Sequence, residues 1–392
     1  MISKYPPIEG GVSSDTYWLA KALGEKGHEV FVVTNAWEVE EDYREKINKD
    51  ELSYLEPKNV KVFSTINEFR TPILRSDYYT EKLVNLAVDV IRNKKADIIY
   101  SYYILPYSIV GFITKYITKK PHILRHAGSD IGRLYKSRFL QTIFIEAFKE
   151  ADKIIGGKNI LEILESKGMD ASKVIELKPG VNTDYFNPNV EAFDLASYIK
   201  DLDVPIFSYF GKISKLKKTY KFVNAASKIK DKKFTLLFVL GNGNKAQELK
   251  KYVVSIGLKD KCIFLPFQAP WKIPSIMKAS TCVVSPESEE TPFLPKGTHH
   301  PQIVREAMAC GKCAIMGKGV AKKGLYGNLV ESKEVLIVDP ENINEFKNKL
   351  ELIIDNPSIT EEIGKNAYKF SKKNEDFDED INRIEKVFSS FV

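Results

Sequence analysis

Short apolar runs rich in β-branched residues alternate with stretches of helical period along the whole chain, the pattern of a parallel α/β architecture. The first series of runs is EVFVVTN (29–35), NVKVFS (59–64), ADIIYS (96–101), HILRHA (122–127), KIIGG (153–157) and VIEL (174–177). A second series follows: PIFSYF (205–210), FTLLFVL (234–240), CIFLPF (262–267), TCVVSP (281–286), CAIMG (313–317) and VLIVD (335–339). Residues 12–26 put Val12, Thr16, Leu19, Ala20 and Leu23 on one helical face and stop at Gly27. Further helices are expected at 80–93, 105–118, 137–150 and 158–167. In the second series they fall at 217–230, 244–257, 270–278, 301–310, 341–354 and 358–370. A polar stretch with Pro188 and Pro205, roughly 187–204, separates the two series. The expectation is two Rossmann-like units in tandem, at 1–190 and 200–370. Ligands of such open sheets sit at the carboxyl ends of the strands, here in the cleft between the units. The first unit needs an opening strand before its Pro-Pro-Gly-Gly loop, and only residues 1–5 can supply it. Either that strand is short or the chain begins late.

A length of 392 residues favours two cores over one, and 43% hydrophobic with 28% charged residues describes a soluble globular protein. The net charge of +7 suits anionic partners, although acidic residues are interspersed almost everywhere and a solvated surface explains it as well. All four cysteines lie in the second half, which argues against a disulfide framework and for a reducing compartment. Cys310 and Cys313 form a CxxC, but no second Cys/His pair stands at zinc spacing, so packing is expected and no metal site. The amino end, MISKYPPIEGG, has prolines where a signal peptide has an apolar core. The most hydrophobic run, 102–118, contains Pro106 and Lys115 and is too short to span a bilayer. A cytoplasmic protein is expected. Peripheral contact at the inner membrane face is compatible with it, through the basic and aromatic segment RLYKSRFLQTIF (133–144), which a buried helix also explains. Nucleic acid is not an expected partner, because the lysines are scattered and the aromatics fall in strand and helix cores.

Several strand-to-helix junctions carry candidate chemistry. In YPPIEGGV (5–12), Gly10 and Gly11 let the backbone approach a ligand, or simply make a tight turn. His126 ends an apolar strand and opens HAGSD, where Asp130 can cap the next helix. PGVNTDYF (179–186) reads as a turn in which Gly180 is structural. In FGKISKLKKTY (210–220), Lys212 and Lys217 straddle a loop and can reach a diphosphate as point charges; a solvated basic loop is the plainer reading. GNGN (241–244) is a further such turn. Phe267 and Gln268 can present ring and backbone to a base, though a core Phe accounts for Phe267 equally. The segment LPKGTHHPQIVREAMACGKCA (294–314) is the richest. Its His299 and His300 precede Pro301, expected at the first helical position, then Gln302, Glu306, and Gly311 past the helix end. Such a helix amino end gathers N–H groups and positive charge that suit a phosphate, and Glu306 can hold a sugar hydroxyl. The combination reads as a nucleotide-sugar pocket.

In order and spacing, YPPIEGGV, LAKALGEKGHEVFVVT, HAGSD, PGVNTDYF, FGKISKLKK, LGNGN and EAMACGKCAI closely resemble the retaining glycosyltransferases of family four, over nearly the whole chain. The resemblance implies a GT-B fold, with two Rossmann-like domains facing across a cleft and a last helix, about 375–391, crossing back to the first. It implies that the glycine loop lies near the diphosphate and acceptor. It also implies that His126 contacts the transferred sugar, Lys212 and Lys217 grip the donor diphosphate, and Glu306 binds the donor ribose. The expected activity is transfer of a sugar from a UDP- or GDP-sugar to a hydroxyl of a glycan, lipid-linked or small-molecule acceptor, with retention and without another cofactor. A nucleotide-sugar epimerase and a non-catalytic sugar-nucleotide-binding homologue are the alternatives. Three positions depart from the family. Lys212 stands where Arg is usual, and Lys218 where Gly is usual. Thr298 stands where the first of two glutamates eight residues apart is expected, with Glu287, Glu289 and Glu290 upstream as candidate stand-ins.

Overall fold

Each of the twelve apolar runs forms a strand in the computed structural model, which describes residues 1–66, 79–127, 130–131, 137–177, 180–199, 203–241, 243–287, 301–321 and 327–392. The strands are β1 (Val30–Thr34), β2 (Val60–Ser64), β3 (Ile99–Tyr102), β4 (His122–Arg125), β5 (Lys153–Gly156), β6 (Val174–Glu176), β7 (Ile206–Phe210), β8 (Thr235–Val239), β9 (Cys262–Leu265), β10 (Cys282–Ser285), β11 (Cys313–Gly317) and β12 (Leu336–Val338). The helices are α1 (Gly11–Glu25), α2 (Tyr79–Lys94), α3 (Ile109–Thr118), α4 (Gln141–Glu150), α5 (Lys158–Ser166), α6 (Thr219–Ser227), α7 (Asn244–Ser255), α8 (Ile273–Ala279), α9 (Gln302–Ala309), α10 (Lys318–Ala321), α11 (Ile343–Asp355), α12 (Ser358–Asn374) and α13 (Phe377–Ser389). The chain divides into two compact units. The first holds Met1–Pro179 and Asp378–Val392, the second Gly180–Thr291 and Pro295–Phe377. The division falls ahead of the expected 190, because residues 180–199 belong to the second unit. There the Phe193 N–H donates to the Ser275 carbonyl at 2.9 Å and Leu195 is buried.

In the first unit β1 pairs with β2, and β3, β4, β5 and β6 form a ladder, all parallel. Ile2 bridges Val33 on one side and Ser101 on the other, so the opening strand is reduced to a single bridging residue in the middle of this sheet. Leu124, Phe144, Phe148, Ile154 and Leu164 fill one core cluster, and Val33, Leu83, Ala87, Ile99 and Val110 another. Each of these side chains larger than Ala87 contributes roughly 1.5–3 kcal/mol by leaving water. In α13, Ile381 and Ile384 are buried one turn apart, and Phe388 meets the Tyr100 ring edge-on at 5.9 Å. Glu385 accepts from His28 at 2.7 Å and pairs with Lys26 at 3.3 Å, which holds its carboxyl below the usual range.

His122 is a fully buried polar group in this core. Its Nε2 shares a 2.7 Å hydrogen bond with the Ser101 hydroxyl, and its Nδ1 has no partner among the described residues. Gly111 of α3 makes room for the ring, since an added Cβ would lie 2.4 Å from Nε2. Burial lowers the imidazole from 6.5 to about 3, with Lys115 adding to the effect. The folded ring stays neutral where the unfolded chain would protonate it. Its contribution is therefore complete above pH 6.5 and is lost as pH falls toward 3, at up to about 1.4 kcal/mol per pH unit. Urea melts across that window should show the decline, and His122→Asn should flatten it; an equal slope in the variant would rule out His122 as its source.

The second unit has six parallel strands in the order β12-β11-β10-β7-β8-β9. The order runs outward in both directions from the neighbours β7 and β10. That pair is the topological switch point, where an open α/β sheet leaves a crevice beyond its strand ends. Phe222 stacks on Phe346 at 5.8 Å and Phe238 on Phe264 at 5.1 Å within the core. Among the described residues no helix is long and apolar enough to cross a membrane.

Candidate functional site

The loop from β7 to α6 delivers two lysines to the switch point. Gly211 opens it at φ +121°, a backbone state L side chains rarely adopt. The Tyr209 hydroxyl donates to the Lys212 carbonyl at 3.0 Å and accepts from Thr219 at 2.9 Å, so both ends of the loop are tied. Lys212 is exposed at its start. The ammonium of Lys217 pairs with the carboxylate of Glu287, which follows β10 and is 2% exposed. The Ser285 hydroxyl donates to the same carboxylate at 3.2 Å. Lys218 then takes φ +51°, and α6 starts at Thr219 rather than at 217. This left-handed turn favours glycine, which gives a physical reason for the glycine usual there in the glycosyltransferases the sequence resembles. Lys218 instead spans 2.7 Å to Glu341, as does Lys221, and the two lysines hold the Glu341 carboxyl down at about 2.

Beyond β10 comes α9. Pro301 is its N-cap, not its first helical residue, because its ψ of 106° is still extended. Gln302 opens the helix half-buried, and Glu306 is 9% exposed one turn on. Gly311 ends it at φ +67°, as expected. Cys310 and Cys313 are both buried, and burial pushes the Cys310 thiol up, in keeping with packing rather than thiolate chemistry. Arg305 makes the contact that sequence reasoning missed. Its Nε donates to Glu375 Oε1 at 2.7 Å, its Nη2 donates to Oε2, and that second oxygen also accepts the Val181 N–H at 3.1 Å. Seventy residues separate the pair, and no local pattern announces it. Phe267 is half-buried, and Gln268, buried, donates to the Pro266 carbonyl at 2.8 Å. His299, His300, Thr298, Glu289 and Glu290 lie outside the described residues.

The first unit holds the other candidates. Gly10 caps α1 at φ +118°, and a Cβ on Gly10 or Gly11 would meet nothing within 4 Å, so open space lies over this helix end. His126 is buried beyond β4, and burial lowers its imidazole. Gly156, last in β5, makes room for the ring: an added Cβ would stand 2.2 Å from Nε2. Asp130 is fully buried and does more than cap. It accepts the Ala127 N–H at 3.1 Å, the Ile131 N–H at 2.9 Å and the Ile104 N–H at 3.2 Å, and lies 4.0 Å from His126 Nδ1. It thereby binds the His126 loop to the turn that follows β3. Beside it Arg125 stacks on Tyr102 at 4.2 Å and faces Asp15 at 3.7 Å.

The profile described as glycosyltransferase family 4 matches residues 9–185, and that of glycosyl transferases group 1 matches 191–370. A D-inositol 3-phosphate glycosyltransferase of Gordonia bronchialis is 24% identical over 230 residues, 56% of this chain but 48% of that protein, so the chain matches about half of that relative's length. An uncharacterized glycosyltransferase of Methanocaldococcus jannaschii is 23% identical over 378 residues, covering 93% of this chain and 91% of the other. Among solved structures, Anabaena HepE in complex with UDP-glucose superposes with a TM-score of 0.70 at 18% identity, covering 99% and 98% of the two chains. That likeness shows the GT-B fold. With the two profiles together matching residues 9–185 and 191–370, the chain belongs to the group 1, family 4 glycosyltransferases.

Proposed function

We propose that this glycosyltransferase moves a sugar from a nucleoside diphosphate donor to an acceptor hydroxyl with retention of configuration. The observation that carries the reading is the Lys217 ammonium at the switch point of the second unit's sheet. The α9 amino end and Lys212 rise from the same carboxyl edge. Negative charge grows on the diphosphate as it departs from an oxocarbenium-like sugar, and stabilising that charge is the protein's main task. Lys212 and Lys217 supply it as point charges, Glu306 takes a donor hydroxyl, and Phe267 offers its ring to the base. Neither a metal nor a carboxylate nucleophile is assigned, because the leaving phosphate itself can accept the acceptor's proton. The solved complex of HepE with UDP-glucose supports a nucleotide-sugar donor for this fold.

In the first unit, Gly10, Gly11 and His126 form the acceptor side, with a glycan, lipid-linked or small-molecule hydroxyl as substrate. Phe139 is 82% exposed with the Arg138 guanidinium 4.7 Å over its ring, an aromatic and basic tip that suits the headgroup layer. It supports a cytoplasmic enzyme with peripheral membrane contact.

Incubation with a panel of UDP- and GDP-sugars, with product anomers read by NMR, tests the reading. One donor is expected to be consumed with the anomeric configuration kept. An inverted product would refute retention, and binding without turnover would favour a non-catalytic homologue. Once the donor is known, Gly156→Ala should turn the His126 ring and slow transfer about tenfold, at a cost of about 1–3 kcal/mol of stability for the overpacked contact. An unaltered rate would sink the role given to His126.

A further inference from the structure

Glu287 places a negative charge where the departing diphosphate is proposed to bind. Its side chain is nearly sealed from solvent, while that of its partner Lys217 is 29% exposed, so the lysine side chain reaches solvent and the carboxylate does not. The Glu287 backbone is pinned from below. A Cβ added to Gly317 of β11 would lie 2.1 Å from the Glu287 carbonyl oxygen, so the neighbouring strand approaches it as closely as a side-chain-free residue allows. The Ser285 hydroxyl fixes the carboxylate from the strand side. The transfer proposed above gives this charge no role. It halves the positive charge that Lys212 and Lys217 bring to the diphosphate.

We propose that Glu287 is a built-in counter-ion: it occupies Lys217 in the empty site, competes with the nucleoside diphosphate for that ammonium, and so limits how tightly the spent donor is held. The proposal rests on the donor reading of Lys217 given above. Lysine has three N–H donors, so one can stay on Glu287 while the others turn toward a phosphate on the solvent side. Glu287 is then a positioning residue. It aims the ammonium and, through its charge, trades affinity for release. A unit charge about 6 Å from an anion, at an effective dielectric between those of protein surface and water, changes binding about tenfold.

Calorimetric titration of UDP and of GDP into the wild-type chain, Glu287→Gln and Glu287→Asp provides the test. The nucleotide that binds wild type should bind Glu287→Gln about tenfold tighter. Glu287→Asp, which keeps the charge, should stay within about threefold of wild type. Uridine and guanosine, which carry no phosphate, should bind all three chains alike. An unchanged or weaker Kd for the diphosphate in Glu287→Gln overturns the counter-ion and leaves the donor reading standing. No binding of either nucleotide to wild type overturns the donor reading and this proposal with it. If Glu287→Gln does not fold, Glu287→Ser removes the same charge with a small polar side chain and is judged by the same outcomes.

Discussion

Lys217→Met should lower kcat by about a hundredfold to a thousandfold, the usual effect of removing one preorganised donor from a developing negative charge. The ammonium stands at the switch point of the second unit's sheet, so its loss removes a charge that water or a neighbouring side chain cannot replace in position. The substitution has a second effect that must be separated from the first. It removes the Lys217 ion pair from a buried carboxylate, which costs about 3–5 kcal/mol of stability. The double variant Lys217→Met, Glu287→Gln removes both charges and should recover most of the melting temperature while staying as inactive as the single variant. Lys217→Arg, which keeps the charge in a different shape, should fall between wild type and Lys217→Met. Initial rates measured beside thermal melts decide the matter, and a stable double variant with near-wild-type turnover would remove Lys217 from the chemistry.

Glu375→Ala is expected to cost about 3–5 kcal/mol of stability. Glu375 receives two donors from Arg305 and the Val181 N–H, and both side chains of the ion pair are more than nine-tenths buried. Deleting the carboxylate removes two charge-assisted bonds from the guanidinium and the acceptor of the Val181 N–H. Arg305 lies one residue before Glu306 on α9, so the same change should loosen the helix that carries the proposed ribose ligand and raise the donor KM. Urea denaturation reads the first effect and steady-state kinetics the second. A loss under 1 kcal/mol would show that the pair contributes little beyond its own desolvation cost.

The parts legible in the sequence are those that local spacing dictates. Buried β-branched runs such as 234–240 and 313–317 became β8 and β11 because a parallel strand covered on both faces must be apolar throughout. Gly10, Gly211 and Gly311 stand at positive φ, and the glycine-bearing junctions marked these turns in advance. Lys212, Lys217 and Glu306 could be singled out because strand-end loops and helix starts are where this architecture presents side chains to ligands. The first unit's end was read too late, since Pro188 and Pro205 mark polar composition, whereas the Phe193 bond to Ser275 decides which core owns the segment. Pro301 was read one position too deep in its helix, because its φ suits either place and only ψ separates them.

The sequence by itself determined the element order, the tandem of parallel sheets and the junctions at which chemistry can occur, because periods of two and 3.6 residues are properties of a few neighbouring positions. Tertiary structure alone decided that Glu287 rather than solvent meets Lys217, that Glu375 clamps Arg305, and that Gly156 clears room for His126. The two ion pairs each join residues 70 positions apart. Whether such residues meet depends on which strands lie side by side, and β7 lies beside β10 only once the sheet has been assembled around its switch point.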